Sequence, residues 1–287
     1  MKKILAVYYT QTGQLKEILD SLLRPLTEDA EVAVDYLEIQ PAVPYPFPWR
    51  RSEFLDVFPE TVLETPSPLK PLAVTPSATY DLVLLAFQPW YLSPSPPMTA
   101  FLQSKEAKTL IRGADVVTVI GARNMWVQSH ERIGGRVADL GGRLRGNIAL
   151  VDRAPNLVSA VTIGYWMFTG KKDRWLGIFP APGVSHADIA AAARYGEALR
   201  AALTGGNLEG LGETLKAMGG DAPNPTLARL EKRAKKVFRL WAGAIVKRPH
   251  IRRRLLNIFF AELVLALAIV SPVNSLLGLL KRPRGRA

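Results

Sequence analysis

The sequence predicts an α/β fold: a doubly wound, five-stranded parallel sheet with a C-terminal helical extension. Three observations point there. Short apolar runs read as buried strands, amphipathic stretches between them read as helices, and a tail both basic and apolar begins near Arg229. Uninterrupted apolar strands separated by helices belong to parallel sheets covered on both faces.

Ile4–Tyr9 is the first strand, followed by a helical pattern from Gln14 to Leu26 with Leu15, Ile18, Leu19, Leu22 and Leu23 on one face. Val32–Ile39 alternates as a second strand, Leu82–Phe87 is an almost wholly aliphatic third, Val116–Ile120 a fourth and Ile148–Val151 a fifth. A helix over Ala187–Leu203 closes the unit, and Gly205-Gly206 and Gly219–Pro225 read as linkers. Two stretches break the alternation. Pro41–Pro76 is dense in proline and carries Trp49, Arg50, Arg51 and Phe54; it reads either as a packed surface arm or as a binding loop. Pro155–Gly183 carries Tyr165, Trp166, Phe168, Trp175 and Phe179 after the fifth strand, and there a lid or substrate-binding role is expected, with Tyr165 and Trp166 as the substrate contacts.

Composition excludes several chemistries. The chain of 287 residues has no cysteine, hence no disulfide, thiolate metal site or cysteine nucleophile, which fits a reducing cytoplasm. Its three histidines (His130, His186, His250) are far apart, so no metal site is expected. Six apolar residues at 4–9 are too few for a signal-peptide core. The net charge of +12 is concentrated after Arg229, where fifteen Lys and Arg face two acids, Glu231 and Glu262.

Three loops sit where a doubly wound sheet binds ligands, beyond the carboxyl ends of its strands. Thr10-Gln11-Thr12-Gly13-Gln14 follows strand one and opens a helix, an arrangement that offers free N–H groups and hydroxyls to an anion. It lacks the lysine and spacing of a Walker loop and the G-x-G-x-x-G fingerprint. Gln88-Pro89-Trp90-Tyr91-Leu92-Ser93-Pro94 follows strand three and Gly121-Ala122-Arg123-Asn124-Met125-Trp126 follows strand four; each brings an aromatic ring, and the second a glycine with free amides.

With these residues the chain resembles the flavodoxin-like superfamily, in which a T-x-T-G loop after strand one holds the phosphate of FMN and two later loops enclose the flavin ring. That resemblance implies phosphate binding by Thr10, Gln11, Thr12, Gly13 and Gln14, and ring binding by Pro89, Trp90, Tyr91, Gly121, Arg123 and Asn124. Within the superfamily, the opening MKKILAVYYTQTGQLKEILDSLLRPL, the segment AFQPWYLSPSPP and the tail resemble flavodoxin-like proteins of dialkylresorcinol and aryl-polyene gene clusters, a family also described as condensing enzymes. Condensation of acyl thioesters normally needs an acylated nucleophile, usually cysteine, and none is present. Aromatisation of a cyclohexanedione or cyclohexenone is a two-electron oxidation suited to a flavin. For it, Arg123 and Arg132 are the expected cations for an enolate, and His130 the expected base, with Tyr91 or Tyr165 as alternatives.

In the tail, Leu255–Val270 is an apolar run interrupted by Asn257 and Glu262, and Ser271-Pro272 is expected to end it before Leu276–Leu280. With basic clusters on both sides, a single span is disfavoured and a shallow or re-entrant helix pair favoured. Arg229–Trp241 places Leu230, Ala234, Val237, Phe238 and Trp241 on one helical face, as a membrane-surface helix does. The expected organisation is therefore an FMN-binding domain at 1–204, a linker with a short helix at 205–228, and a tail at 229–287 meeting an anionic membrane surface on its cytoplasmic face. The partners expected are a lipid-like small-molecule substrate and anionic lipid, without nucleic acid; a dimerisation arm is the alternative for the tail. The competing functions are an NAD(P)H:quinone reductase of the same fold, an electron carrier, or a scaffold.

Overall fold

In the computed structural model, residues 1–73 and 79–280 are described, the side chains of 268–280 excepted. The elements follow in chain order: β1 (Lys2–Tyr8), α1 (Gln14–Thr27), β2 (Val32–Glu38), α2 (Arg51–Asp56), α3 (Phe58–Leu63), β3 (Leu82–Phe87), β4 (Pro89–Trp90), β5 (Ser93–Pro94), α4 (Pro96–Leu102) and α5 (Lys105–Ile111). After them come β6 (Asp115–Ala122), α6 (Val127–Asp139), β7 (Arg143–Val151), α7 (Asn156–Thr169), α8 (His186–Ala190), α9 (Ala193–Thr204), α10 (Leu211–Ala217), α11 (Pro225–Val246) and α12 (Arg252–Leu280).

Five strands pair in parallel in the order β2-β1-β3-β6-β7. Counted within this sheet the order is 2-1-3-4-5, the flavodoxin-like doubly wound topology, with its switch point between β1 and β3. The strands were recognisable because both of their faces are buried. In β3, Leu82, Leu84 and Ala86 join one core layer and Val83, Leu85 and Phe87 the other. The first layer is closed by Leu15, Ile18, Leu19, Leu22 and Leu23 of α1 and by Leu199 and Leu203 of α9; the second by Phe101, Leu110, Ile133 and Val137 of α4, α5 and α6.

The structure departs from sequence expectation at several points. The strand expected at Ile148–Val151 begins at Arg143, its polar first half paired with β6 across a register shift at Val116/Val117. Arg143 and Arg145 on that half both reach Asp115, which explains why an apolar run missed it. The helix expected over Ala187–Leu203 is two helices, α8 and α9. Within 205–228, read as a linker with a short helix, α10 (Leu211–Ala217) lays Leu211 and Leu215 into the main core. Ser271-Pro272 does not end α12, which continues to Leu280. A proline inside a helix removes one hydrogen bond and can be carried where the turns on either side persist.

The face of α11 read as lipid-facing is divided: Val237 is half exposed, while Phe238 and Trp241 turn inward. Phe238 and Trp241 pack with Phe58 and Phe259 in a third core cluster, built from α2, α3, α11 and α12. Phe58 and Phe259 stack with centroids 3.8 Å apart. Arg252 pairs with Glu60 at 2.8 Å, binding α12 to the proline-dense arm. Among the described residues no helix is long and apolar enough to cross a membrane.

Candidate functional site

Because β1, β3 and β6 are parallel neighbours, the loops that follow them emerge at one edge of the sheet. There they enclose a cavity of about 250 Å³. Its floor comes from Thr12, Gln14, Gln88, Pro89, Trp90, Tyr91, Gly121, Ala122 and Arg123; its walls come from Trp49, Phe54 and Val57 on one side and Ile163, Trp166, Met167 and Gly183 on the other. Of the site residues singled out from sequence, Thr12, Gln14, Pro89, Trp90, Tyr91, Gly121, Arg123 and Trp166 line it. The proline-dense arm is thus a cavity wall, tied to α7 by the Trp49 amide, which donates to the Met167 carbonyl at 2.8 Å.

The strand-one loop turns through Gly13 at φ 84°, a left-handed conformation that glycine adopts without penalty, and α1 starts immediately after it. No side chain caps this helix: the Gln14 amide and Thr12 Oγ1 are 3.5 Å apart, at the limit of a hydrogen bond. Beyond that marginal contact no side chain meets the first N–H groups of α1, while the Lys16 and Glu17 amides turn to the Gly13 carbonyl. Gln14 itself has a different task from the one expected. Its side chain is buried and exchanges two hydrogen bonds of 3.0 Å with the backbone of Val184. This brings Gly183 so close that a Cβ there would lie 2.6 Å from Gln14 Oε1 and 2.9 Å from Trp166. Gln14 is a clasp for the far wall; its amide is occupied. Gln11 donates to the Pro46 carbonyl at 2.8 Å, and Thr10 Oγ1 stands 3.5 Å from Gln88 Nε2, joining two of the loops.

After β3, Trp90 sits edge-on among Tyr9, Tyr45 and Trp49, with centroids 5.1–6.1 Å away. Tyr91 and Leu92 form the turn between β4 and β5, both at positive φ (48° and 62°). The Tyr91 hydroxyl donates to the Phe54 carbonyl at 2.5 Å, and burial pushes its pKa well up, so it is no base near neutrality. After β6, Arg123 is the one charged side chain among the described cavity residues. Its guanidinium donates to the Asn156 carbonyl and side chain, each at 2.9 Å, and burial lowers its pKa against the pull of Asp152.

The remaining expected residues divide. Trp166 lines the cavity; Tyr165 does not, being stacked on Trp175 at 5.7 Å and bonded to Asp173. Successive helical residues point about 100° apart, so of this pair only one meets the cavity. His130 and Arg132 lie on α6 outside the cavity lining. His130 stands 3.3 Å from Thr118 Oγ1 with its edge to Trp126, and burial pulls its pKa down, keeping it neutral. Arg132 is held by both oxygens of Glu64 at 2.6 and 2.7 Å, so it is not available to an enolate in the cavity. Pro89, Trp90, Tyr91, Gly121 and Arg123 line one cavity, with Asn124 next to Arg123 in sequence. Among the described residues no group of acids and histidines is arranged to hold a metal.

No protein-family model matches the chain, and no curated protein matches it in sequence. Solved structures that it is similar to include a flavoprotein of Lactobacillus acidophilus in complex with FMN, at 15% identity and a TM-score of 0.41, covering 53% of this chain and 93% of that one. Another is a putative flavoprotein of Bacteroides eggerthii, at 19% identity and a TM-score of 0.41, covering 50% and 86%. A third is the flavodoxin, WrbA-like protein of Agrobacterium tumefaciens, at 9% identity and a TM-score of 0.36, covering 71% and 99%.

Proposed function

We propose that the chain is an FMN-dependent oxidoreductase that aromatises a lipid-like cyclohexanedione or cyclohexenone to a dialkylresorcinol at a membrane surface. The observation that carries the flavin reading is one aromatic cavity at the β1/β3 switch point with an uncapped helix N-terminus at its edge. The residues fit FMN on a further count. Among the described residues, Gln11 Oε1, Trp49 Nε1 and Asn124 Oδ1 are buried side-chain atoms without a hydrogen-bond partner, and each belongs to a residue that lines the cavity or adjoins its lining. Buried polar atoms are ordinarily satisfied, so a polar ligand there removes a cost.

When bound, FMN supplies a two-electron acceptor for hydride from the substrate ring. The protein's own part is positional. The first turn of α1 receives the phosphate, Trp90 and Gly121 bound the ring site, and the apolar walls exclude water. Arg123 presents a fixed positive charge that holds the enolate of an acidic 1,3-dione. The proton released alongside the hydride passes to water or buffer at the cavity mouth, since His130 lies outside the cavity lining and the Tyr91 hydroxyl is a buried donor with a raised pKa. The aromatase assignment rests on the family resemblance and on the absence of cysteine.

The membrane reading is supported by exposed apolar side chains on the outer sides of α11 and α12, with Leu240 75% and Leu265 59% exposed among the tail's many cations. Substituting both leucines by glutamate is expected to abolish co-sedimentation with phosphatidylglycerol vesicles; undiminished sedimentation removes this part of the reading. The central experiment is the absorbance spectrum of the purified protein, before and after anaerobic addition of a dialkyl cyclohexanedione. A flavin spectrum that bleaches supports the proposal. A flavin that bleaches only with NAD(P)H and turns over a soluble quinone makes the protein a quinone reductase, and a colourless protein that takes up no FMN overturns the flavin reading.

A further inference from the structure

The cavity-facing loops after β3 and β6 are each held by a charged side chain from α11. The helix α6 begins after Trp126, which offers no side-chain cap. In place of one, the carboxylate of Glu231, fully buried, accepts the Gln128 amide at 2.8 Å and the Val127 amide at 3.2 Å. Those amides directly follow the Gly121–Trp126 loop. One helical turn further along α11, the buried Lys235 donates to the Leu92 carbonyl at 2.7 Å and to Ser93 Oγ at 2.6 Å. Leu92 and Tyr91 are the two turn residues at positive φ. Non-glycine residues hold such a conformation only where surrounding contacts over-determine it, and two-residue hairpins of this kind usually carry Asn-Gly or Gly there. Lys235 supplies such a contact from outside the hairpin.

We propose that α11 is a clamp for the cofactor site, with Glu231 and Lys235 as positioning residues for the two loops that face the ring. The C-terminal helices are then part of the binding machinery, although no residue of α11 lines the cavity. A buried carboxylate and a buried ammonium four residues apart are costly features that a merely solubilising or lipid-facing helix does not require. Their partners are the first two amides of α6, directly after the Gly121–Trp126 loop, and the Leu92 carbonyl and Ser93 Oγ of the β4–β5 hairpin. The identity of the ligand in this inference rests on the flavin reading; the clamping of the loops does not.

The test is hydrogen exchange on the full-length apoprotein, followed by titration with FMN. The variant Glu231→Gln/Lys235→Met removes both charges together and leaves no isolated buried ion. It is expected to speed exchange at the Val127 and Gln128 amides and in segment 88–95 by about tenfold, with β1 and β3 unchanged. FMN is expected to bind about tenfold more weakly, with an altered flavin fluorescence. The single variant Ser93→Ala, which keeps both charges, is expected to speed exchange in 88–95 about threefold and serves if the double variant does not fold. Unchanged exchange in both segments of a folded variant overturns the clamp, and so does unchanged FMN affinity despite loosened loops. If wild-type protein binds no FMN while the exchange changes appear as expected, the flavin reading falls and the loop clamp stands.

Discussion

Two helices begin beside the cavity, α1 and α6, and their N-termini are finished in opposite ways. Neither has a capping side chain of its own. At α6 the vacancy is closed by the carboxylate of Glu231, more than a hundred residues away in sequence. At α1, behind Gly13, it stays open to the cavity edge. Both ends carry the positive pole of a helix dipole, and each favours an anion. In one case the protein provides the anion; in the other no side chain of its own fills that place. On the proposed flavin reading, the phosphate is therefore assigned to α1, because the α6 terminus is already occupied by Glu231.

The largest effect expected breaks the closed end. Glu231→Ala leaves α6 without its cap and the Gln128 and Val127 amides without their acceptor. Leaving buried donors unpartnered costs about 1–3 kcal/mol, to be read from urea unfolding; no measurable loss would mean that the end is closed in name only. A pH dependence follows from the same residues. Burial raises the Glu231 carboxyl from its ordinary 4.5 to about 7, opposed by the Gln128 and Val127 amides, with Glu131 raising and Lys235 lowering it. Burial lowers Lys235 from 10.5 to about 8, with Glu64 and Glu231 opposing and Arg239 and Arg132 assisting. For the acid, the folded state binds the proton more tightly than the unfolded state does. Its contribution to stability is full below pH 4.5 and lost as pH rises through 7, about 3 kcal/mol over that window. For the lysine, the contribution is full above 10.5 and lost as pH falls through 8. Unfolding free energy from this pair therefore passes through a minimum between pH 7 and 8, and Glu231→Gln/Lys235→Met flattens both slopes.

The open end was legible in the sequence and the closed one was not, for a physical reason. An apolar strand, a glycine and an amphipathic helix in immediate succession encode the turn at Gly13 through local conformation alone. Glu231 and Lys235 sit in a helix studded with charge, and such a face normally points to solvent. The amides that Glu231 binds are backbone groups, which no side-chain pattern reveals. The same limit hid the cavity walls. Phe54 stood out as an aromatic in a proline-dense stretch, but Val57 and Met167 are ordinary apolar residues whose position depends on how α2 and α7 lean on the sheet edge. His130 and Arg132 drew attention by residue type; the turn of α6 carries them away from the cavity, to Thr118 and Glu64.

At the open end, the phosphate is the ligand group expected to matter most. Riboflavin, which lacks it, should bind about 100-fold more weakly than FMN, the worth of one charge-assisted set of hydrogen bonds at a helix terminus. Equal affinities, measured by fluorescence quenching, would place the phosphate elsewhere and dissolve the contrast between the two helices. Gly13→Ala tests the loop itself. No atom lies within 4 Å of the added Cβ, so the cost is conformational, about 1 kcal/mol from the positive φ. It should appear as weaker FMN binding of about fivefold, since the variant can relax the turn only by tilting the first amides of α1 away from the ligand.

The smallest effect expected is the most discriminating between residue type and position. His130→Gln and Arg132→Lys alter the two side chains whose chemistry fits proton abstraction and enolate binding best. Neither side chain lines the cavity: His130, in the first turn of α6, faces Thr118 and Trp126, and Arg132 is committed to Glu64. Substitutions remote from a ligand and sharing no partner with it change its binding little, so FMN affinity should stay within about twofold of wild type. Arg123→Lys is the matched control. It keeps the charge but replaces the planar guanidinium, whose Nη1 meets both the Asn156 carbonyl and side chain, with a compact ammonium on a flexible stem. A variant series in which Arg123→Lys weakens dione-dependent bleaching while His130→Gln leaves it intact assigns the electrostatic work to the cavity's own cation. The reverse pattern would require α6 to rotate about its capped end, a movement that hydrogen exchange at Val127 and Gln128 would report directly.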